Sequence, residues 1–208
     1  MATMKKKELE IALQKIPGMK SPSPLLEQYQ TPAGIAADIL FNAYDDINGK
    51  AVVDLGCGTG IFCIGASLLG AREVTGVDID ASAIEIAEEE SKRMGAENIT
   101  FMANSVENIS VEGDTVIMNP PFGSQLGNRR ADRAFLKKGL EVAPVIYSIH
   151  LENTIPFIKI LISSLDGEVT YSKSYPFPIK RIFSFHRKKV AVYEVMLLRI
   201  SRRQKRMR

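Results

Sequence analysis

The sequence predicts an α/β fold: a mostly parallel, seven-stranded sheet with an antiparallel terminal strand and helices on both faces. Three observations carry that expectation. Short apolar, β-branched runs alternate with amphipathic helical segments through most of the 208 residues. A glycine-rich turn joins the first of those strands to a helix. The last two strand segments have no long helix between them, so they should pair antiparallel.

Each element can be justified in order. "ELEIALQKI" places Leu9, Leu13 and Ile16 at helical spacing, and "PGMKSPSP" ends that helix. In "QTPAGIAADILFNAY", Thr31 reads as an N-cap with Pro32 at the first helical position, and Ile35, Ile39 and Leu40 form the buried stripe. "KAVVDLG" is a strand, "IFCIGASLLG" a helix closed by Gly70, and "EVTGVDI" a second strand. "DASAIEIAEEESKRMG" begins with an Asp cap and carries acids early and bases late, as the helix dipole favours. Strands "NITFM" and "DTVIMN", helix "DRAFLKKGLEVA", strand "PVIYSIH" and helix "TIPFIKILISSL" follow, then strands "GEVTYSKSY" and "VAVYEVMLLRI". No internal repeat or Gly/Ser linker divides them. The reading is a single domain over residues 1–208, with an N-terminal helical extension over about 1–30 and a basic tail over about 201–208.

Composition narrows the classes. No apolar run approaches the ~20 residues of a membrane span, and the basic start "MATMKKKELE" lacks the apolar centre of a signal peptide. Cys57 and Cys63 fall in one short segment, so neither a disulfide framework nor a metal site is expected. A cytoplasmic location is the expectation. The net charge is +3, but it is unevenly placed. Residues 180–208 hold 11 of the 27 bases and one of the 24 acids, leaving 16 bases against 23 acids elsewhere. An acidic body with a basic end suits a polyanion partner. "FSFHRKK" interleaves aromatics with bases, which suits stacking and phosphate contacts. "SRRQKRMR" reads equally well as a solvated tail.

"VVDLGCGTGIF" runs from strand through Gly56, Gly58 and Gly60 into helix. The nicotinamide fingerprint sets its third glycine three residues after the second; here the spacing is two. Asp54 ends the strand, where it would repel a pyrophosphate and attract an ammonium. S-adenosylmethionine carries an ammonium and a sulfonium and no phosphate, so the charge pattern favours it. Asp78 ends the second strand, where a carboxylate can accept from both hydroxyls of a ribose. Asp80 reads as a helix N-cap.

"DTVIMNPPFG" ends a strand in a rigid corner. Asn-Pro-Pro is a favourable turn, and it is also a tool for an amine attached to a ring. Such an amine is a poor nucleophile because its lone pair is delocalised. Asn119 offers a side-chain carbonyl, and Pro120 a backbone carbonyl with no N–H to compete. Pro120 and Pro121 together hold both acceptors in place, and Phe122 offers a face for stacking a planar ring.

"DLGCGTG" and "VDID" resemble the first and second motifs of the class I S-adenosylmethionine-dependent methyltransferases, whose fold is Rossmann-like. That resemblance implies cofactor contacts from Asp54, Gly56, Gly58, Thr59, Gly60, Asp78 and Ile79. In the family the adenine is met just after the third strand, where this chain has Ser105 and Val106 in "MANSVENI". The family's usual acid is replaced by Ser105, leaving Ser105 or Asn104 as acceptor. N-Pro-Pro-Phe resembles the motif of amino-methyltransferases acting on a base or on a glutamine side chain.

"LLEQYQTP", "VVDLGCGTGIFCIGASLLGA", "VTGVDIDASAIEI", "DTVIMNPPFG", "DRAFLKKGLEVA", "VIYSIH" and "FHRKK" together resemble the methyltransferase-like-five family, over residues 25 to about 200. The resemblance implies methylation of adenine N6 in small-subunit ribosomal RNA, with Gln28 and Thr31 as further cofactor contacts. It also implies a small zinc-binding activator protein paired along an exposed sheet edge, for which "NITFM" is the candidate. RNA is expected on Arg187, Lys188 and Lys189 and on the tail, with "GSQLGNRRAD" closing over the extruded base. His150 reads as a capping or packing residue, and His186 as an RNA contact. The rival readings are a protein glutamine methyltransferase, a catalytically silent RNA-binding scaffold and a nicotinamide-dependent oxidoreductase.

Overall fold

The computed structural model describes residues 4–19, 22–23, 27–122, 131–180 and 190–203. Helix α1 (Lys6–Leu13) buries Leu9 and Leu13 against α2 (Ala33–Asn42). Thr31 does not cap α2. The cap position is Pro32, and the hydroxyl of Thr31 is used elsewhere. A single turn, α3 (Tyr44–Ile47), which no sequence pattern announced, leads into β1 (Ala51–Leu55). Helix α4 (Ile61–Leu68) and strand β2 (Glu73–Asp78) complete the first crossover, and helix α5 (Ala81–Arg93) begins the second. Asp80 caps α5 by accepting from the Ser82 N–H, and Lys92 and Arg93 lie in its last turn, where the helix dipole favours bases.

Strands β3 (Ile99–Ala103) and β4 (Thr115–Met118), helix α6 (Ala131–Val142), strand β5 (Val145–Leu151) and helix α7 (Ile155–Ser164) follow. Strands β6 (Gly167–Lys180) and β7 (Val190–Arg202) end the fold. The sheet order is β3-β2-β1-β4-β5-β7-β6. Strands β1 to β5 pair parallel, while β7 runs antiparallel to both β5 and β6. The predicted architecture is the observed one.

Strand β6 runs past the expected end at Tyr175 through Pro176 and Pro178, which pair with Glu194 and Val192. Two prolines two residues apart leave both missing N–H groups on one side of the strand. An edge strand tolerates that, because only its other side needs donors. Along each central strand the side chains alternate between two apolar layers. Val52, Ile117, Tyr147 and Ile149 pack with α1, α2 and α4. Val53, Val116, Met118 and Ile146 pack with α6 and α7. Among the described residues no helix is long and apolar enough to cross a membrane. The sheet order reverses between β1 and β4, and the crevice beyond their C-terminal ends is where such sheets place ligands.

Candidate active site

A cavity of about 990 Å³ occupies that crevice. The volume lies at the upper end for small-molecule sites, enough for a nucleoside cofactor and a second planar group. Its floor is the turn after β1. Gly58 has φ +52°, and a Cβ there would meet nothing within 4 Å, so a ligand can approach the backbone directly. Gly56 has φ +73°, and its missing side chain leaves the space filled by the ring edge of Phe135, 3.1 Å from the ideal Cβ position.

Asp78 forms the next wall. Its Oδ2 accepts from the Gly58 N–H at 2.8 Å and its Oδ1 from the Asp80 N–H at 2.9 Å. Burial raises its pKa, and the backbone donors oppose that rise. Each oxygen keeps a lone pair for a ligand in the cavity. Ile79 stands 62% exposed beside it, ready to cover an apolar ring face. Val106 and Glu107 lie at the same end. The Ser105 hydroxyl accepts from the Glu107 N–H, and the Asn104 amide oxygen accepts from the Ser105 N–H, so both proposed acceptors are already engaged locally. Glu107, which carries an acid two residues beyond the expected place, was missed in the sequence.

The segment before α2 closes the cavity. Gln28 donates to Asp80 Oδ2 at 2.8 Å and accepts from the Ser23 N–H at 2.6 Å, which ties this segment to the cap of α5. Thr31 is buried and accepts from Asn119 Nδ2 at 3.1 Å. That bond turns the Asn119 amide, leaving its Oδ1 buried with no hydrogen-bond partner among the described residues. Buried acceptors are rarely left unmade, so this atom marks a place where a donor is expected.

Gln28, Thr31, Gly56, Gly58, Thr59, Asp78, Ile79, Ser105, Val106, Asn119 and Pro121 all line the cavity. Four predicted residues stand behind its wall. Gly60, at φ +86°, holds the cap of α4. Pro120 is buried. Phe122 packs edge-on against Phe177 of β6, with centroids 5.8 Å apart, instead of lining the cavity. Asp54 is fully buried beneath the glycine turn, where Cys63 Sγ donates to its Oδ2 at 3.3 Å. Burial, with the nearby charge of Asp78 adding to it, pushes the Asp54 pKa up to about 7. Phe135 and Pro178, distant in sequence, complete the wall. Arg187, Lys188, Lys189, the stretch 123–130 and the tail beyond Arg203 lie outside the described residues.

The residues present suit S-adenosylmethionine: a carboxylate with free lone pairs, an open glycine turn and an exposed apolar side chain, with no Lys or Arg among the described residues that line the cavity. Comparison with known proteins agrees. Residues 32–142 match the methyltransferase small domain family. The chain is 35% identical to the rRNA N(6)-adenosine-methyltransferase METTL5 of Danio rerio, across 95% of this chain and 99% of that one. It is 32% identical to a protein of Methanocaldococcus jannaschii proposed as a protein N5-glutamine methyltransferase, across 74% and 82%. The crystal structure of a proposed RNA methyltransferase from Pyrococcus horikoshii superposes with a TM-score of 0.88 at 40% identity, covering 97% of this chain and 99% of that one.

Proposed function

This chain belongs to the methyltransferase small domain family, and on that premise we propose that it methylates the exocyclic N6 amine of an adenine in RNA, the small-subunit ribosomal RNA. S-adenosylmethionine supplies, when bound, a methyl group made electrophilic by its sulfonium. The observation that carries the proposal is the Oδ1 of Asn119, unpartnered among the described residues and held in direction by the Thr31 hydroxyl at the cavity wall. An amide oxygen so placed accepts an N–H from the target amine. The Pro120 carbonyl accepts the second, and the lone pair is then left free to attack. Fixed acceptors favour the tetrahedral nitrogen without reorganisation. Neither acceptor needs to act as a strong base, because the nitrogen becomes acidic once it has attacked.

The target base must be extruded to reach this corner. Phe122, braced by Phe177, would meet it with a ring edge or turn to stack. The basic residues Arg187, Lys188 and Lys189 would hold the RNA backbone. Strand β3 pairs only with β2 among the described residues, and we place a small zinc-binding activator along its open edge. The similarity to a glutamine methyltransferase favours a second reading, since a glutamine amide presents the same pair of N–H groups.

Incubation with labelled S-adenosylmethionine and either ribosomal RNA or total protein separates the two, with label expected in RNA adenine. Asn119→Ala should lower single-turnover transfer by about two to three powers of ten, with RNA affinity kept. Asn119→Asp, which retains an acceptor, should keep part of the rate. Transfer by Asn119→Ala at the wild-type rate would reduce the corner to a turn.

A further inference from the structure

Three polar side chains form a chain inside the layer between the sheet and α6. Ser148 Oγ lies 2.7 Å from His150 Nε2, and His150 Nδ1 lies 2.9 Å from Asp132 Oδ1. Ser148 and His150 sit two residues apart on β5 and so face the same layer. With Asp132 ionised and the imidazole neutral, the arrangement has Nδ1 carrying the ring proton and Nε2 accepting from the Ser148 hydroxyl. The connectivity is that of a hydrolytic triad. Burial excludes that use: Ser148 and His150 are 0% and 1% exposed, and neither lines the cavity.

Its position is more telling. Ser148 pairs with Met118, the residue before Asn119. Asp132 stands in the first turn of α6, three residues before Phe135, whose ring fills the space over Gly56. The chain thus joins the strand beside the acceptor corner to the helix that walls the cofactor turn. Around it the layer is apolar, with Met118, Leu136, Ile146 and Ile155 buried. Apolar side chains there would avoid the desolvation of three polar groups. What hydrogen bonds add is direction, because they admit one placement of the helix start relative to β5.

We propose that His150 and Asp132 are positioning residues for methyl transfer, locking the first turn of α6 so that Phe135 and the Asn119 corner keep a fixed separation across the cavity. The proposal rests on the methyltransferase reading above. The chain contains two histidines, so the Nδ1 proton of His150 can be assigned with a His186→Ala control. In full-length protein that proton should resonate downfield of the amide envelope. It should persist in Asp132→Asn, where the amide oxygen still accepts, and vanish in Asp132→Ala. With labelled S-adenosylmethionine and ribosomal RNA at saturation, Asp132→Ala should lose about tenfold to a hundredfold in kcat, the scale of a misplaced reacting group. Asp132→Asn should recover most of that loss, and melting curves should show both variants folded. Full kcat in Asp132→Ala, or equal losses in both variants, would overturn the proposal, as would a missing downfield proton in the wild type. Wild-type protein that shows the proton but transfers no methyl group would instead remove the reaction assigned to the site.

Discussion

Asp54, the penultimate residue of β1, and Asp78, which ends the neighbouring β2, have carboxylates in different surroundings. Asp78 borders the cavity and accepts two backbone N–H groups. Asp54 lies beneath the turn, with a thiol as donor to one oxygen and no partner for the other among the described residues. Burial raises its pKa to about 7, so it is neutral below that pH and a carboxylate above it. A cationic ligand above the turn favours the ionised form. Binding of S-adenosylmethionine should therefore weaken as pH falls below about 7, approaching tenfold per unit for one linked proton. Asp54→Asn should bind with no such slope. Calorimetry between pH 5.5 and 8 checks this, and an identical slope in the variant would assign the linkage to another group.

At the scale of elements, β6 and β7 set the geometry of the basic end. Pro178 of β6 lines the cavity, so these strands bring the two flanks of residues 181–189 to the cavity end of the sheet. The 13 residues of β7 then carry the chain about 40 Å to the opposite end, where the tail begins. Replacing Arg187, Lys188 and Lys189 with Ala should lower the salt dependence of RNA binding by about 2 units of slope, if each meets a phosphate. Cofactor affinity should stay unchanged. A slope equal to that of the wild type would place the RNA elsewhere.

Across the whole molecule, a polar hub fastens the sheet to the helix turn before it. Asp46 of α3 accepts from Arg199 of β7 and from Tyr147 of β5, while its backbone carbonyl accepts from Thr115 of β4. Burial alone would raise the Asp46 pKa, but these donors outweigh it and hold the carboxyl below its usual value. A depressed acid contributes stability above its unfolded pKa of about 4 and loses it as pH falls through the folded value. Asp46→Asn should cost about 1–2 kcal/mol at pH 7, since the pair is partly exposed and screened. The difference from wild type should shrink below pH 4. Urea titrations at both pH values measure it, and a constant difference would mean that charge is not the cause.

The sequence alone determined the order and type of the elements apart from the single turn α3, together with the glycine turn, the Asp80 cap and the rigid corner at the end of β4. Each of these depends on local chemistry: apolar period, positive φ, a missing N–H, a side chain reaching two residues along its own chain. Thr31 shows where that logic ends. Its place before a proline reads as a cap, but Asn119 lies 88 residues away and takes the hydroxyl. Burial of Asp54, the seat of Phe122 on Phe177, the closing of Gly56 by Phe135 and the Ser148–His150–Asp132 chain were likewise decided only by the tertiary structure. Such contacts depend on which strands become neighbours and which face each layer covers. Those are properties of the packed sheet, and no local pattern encodes them.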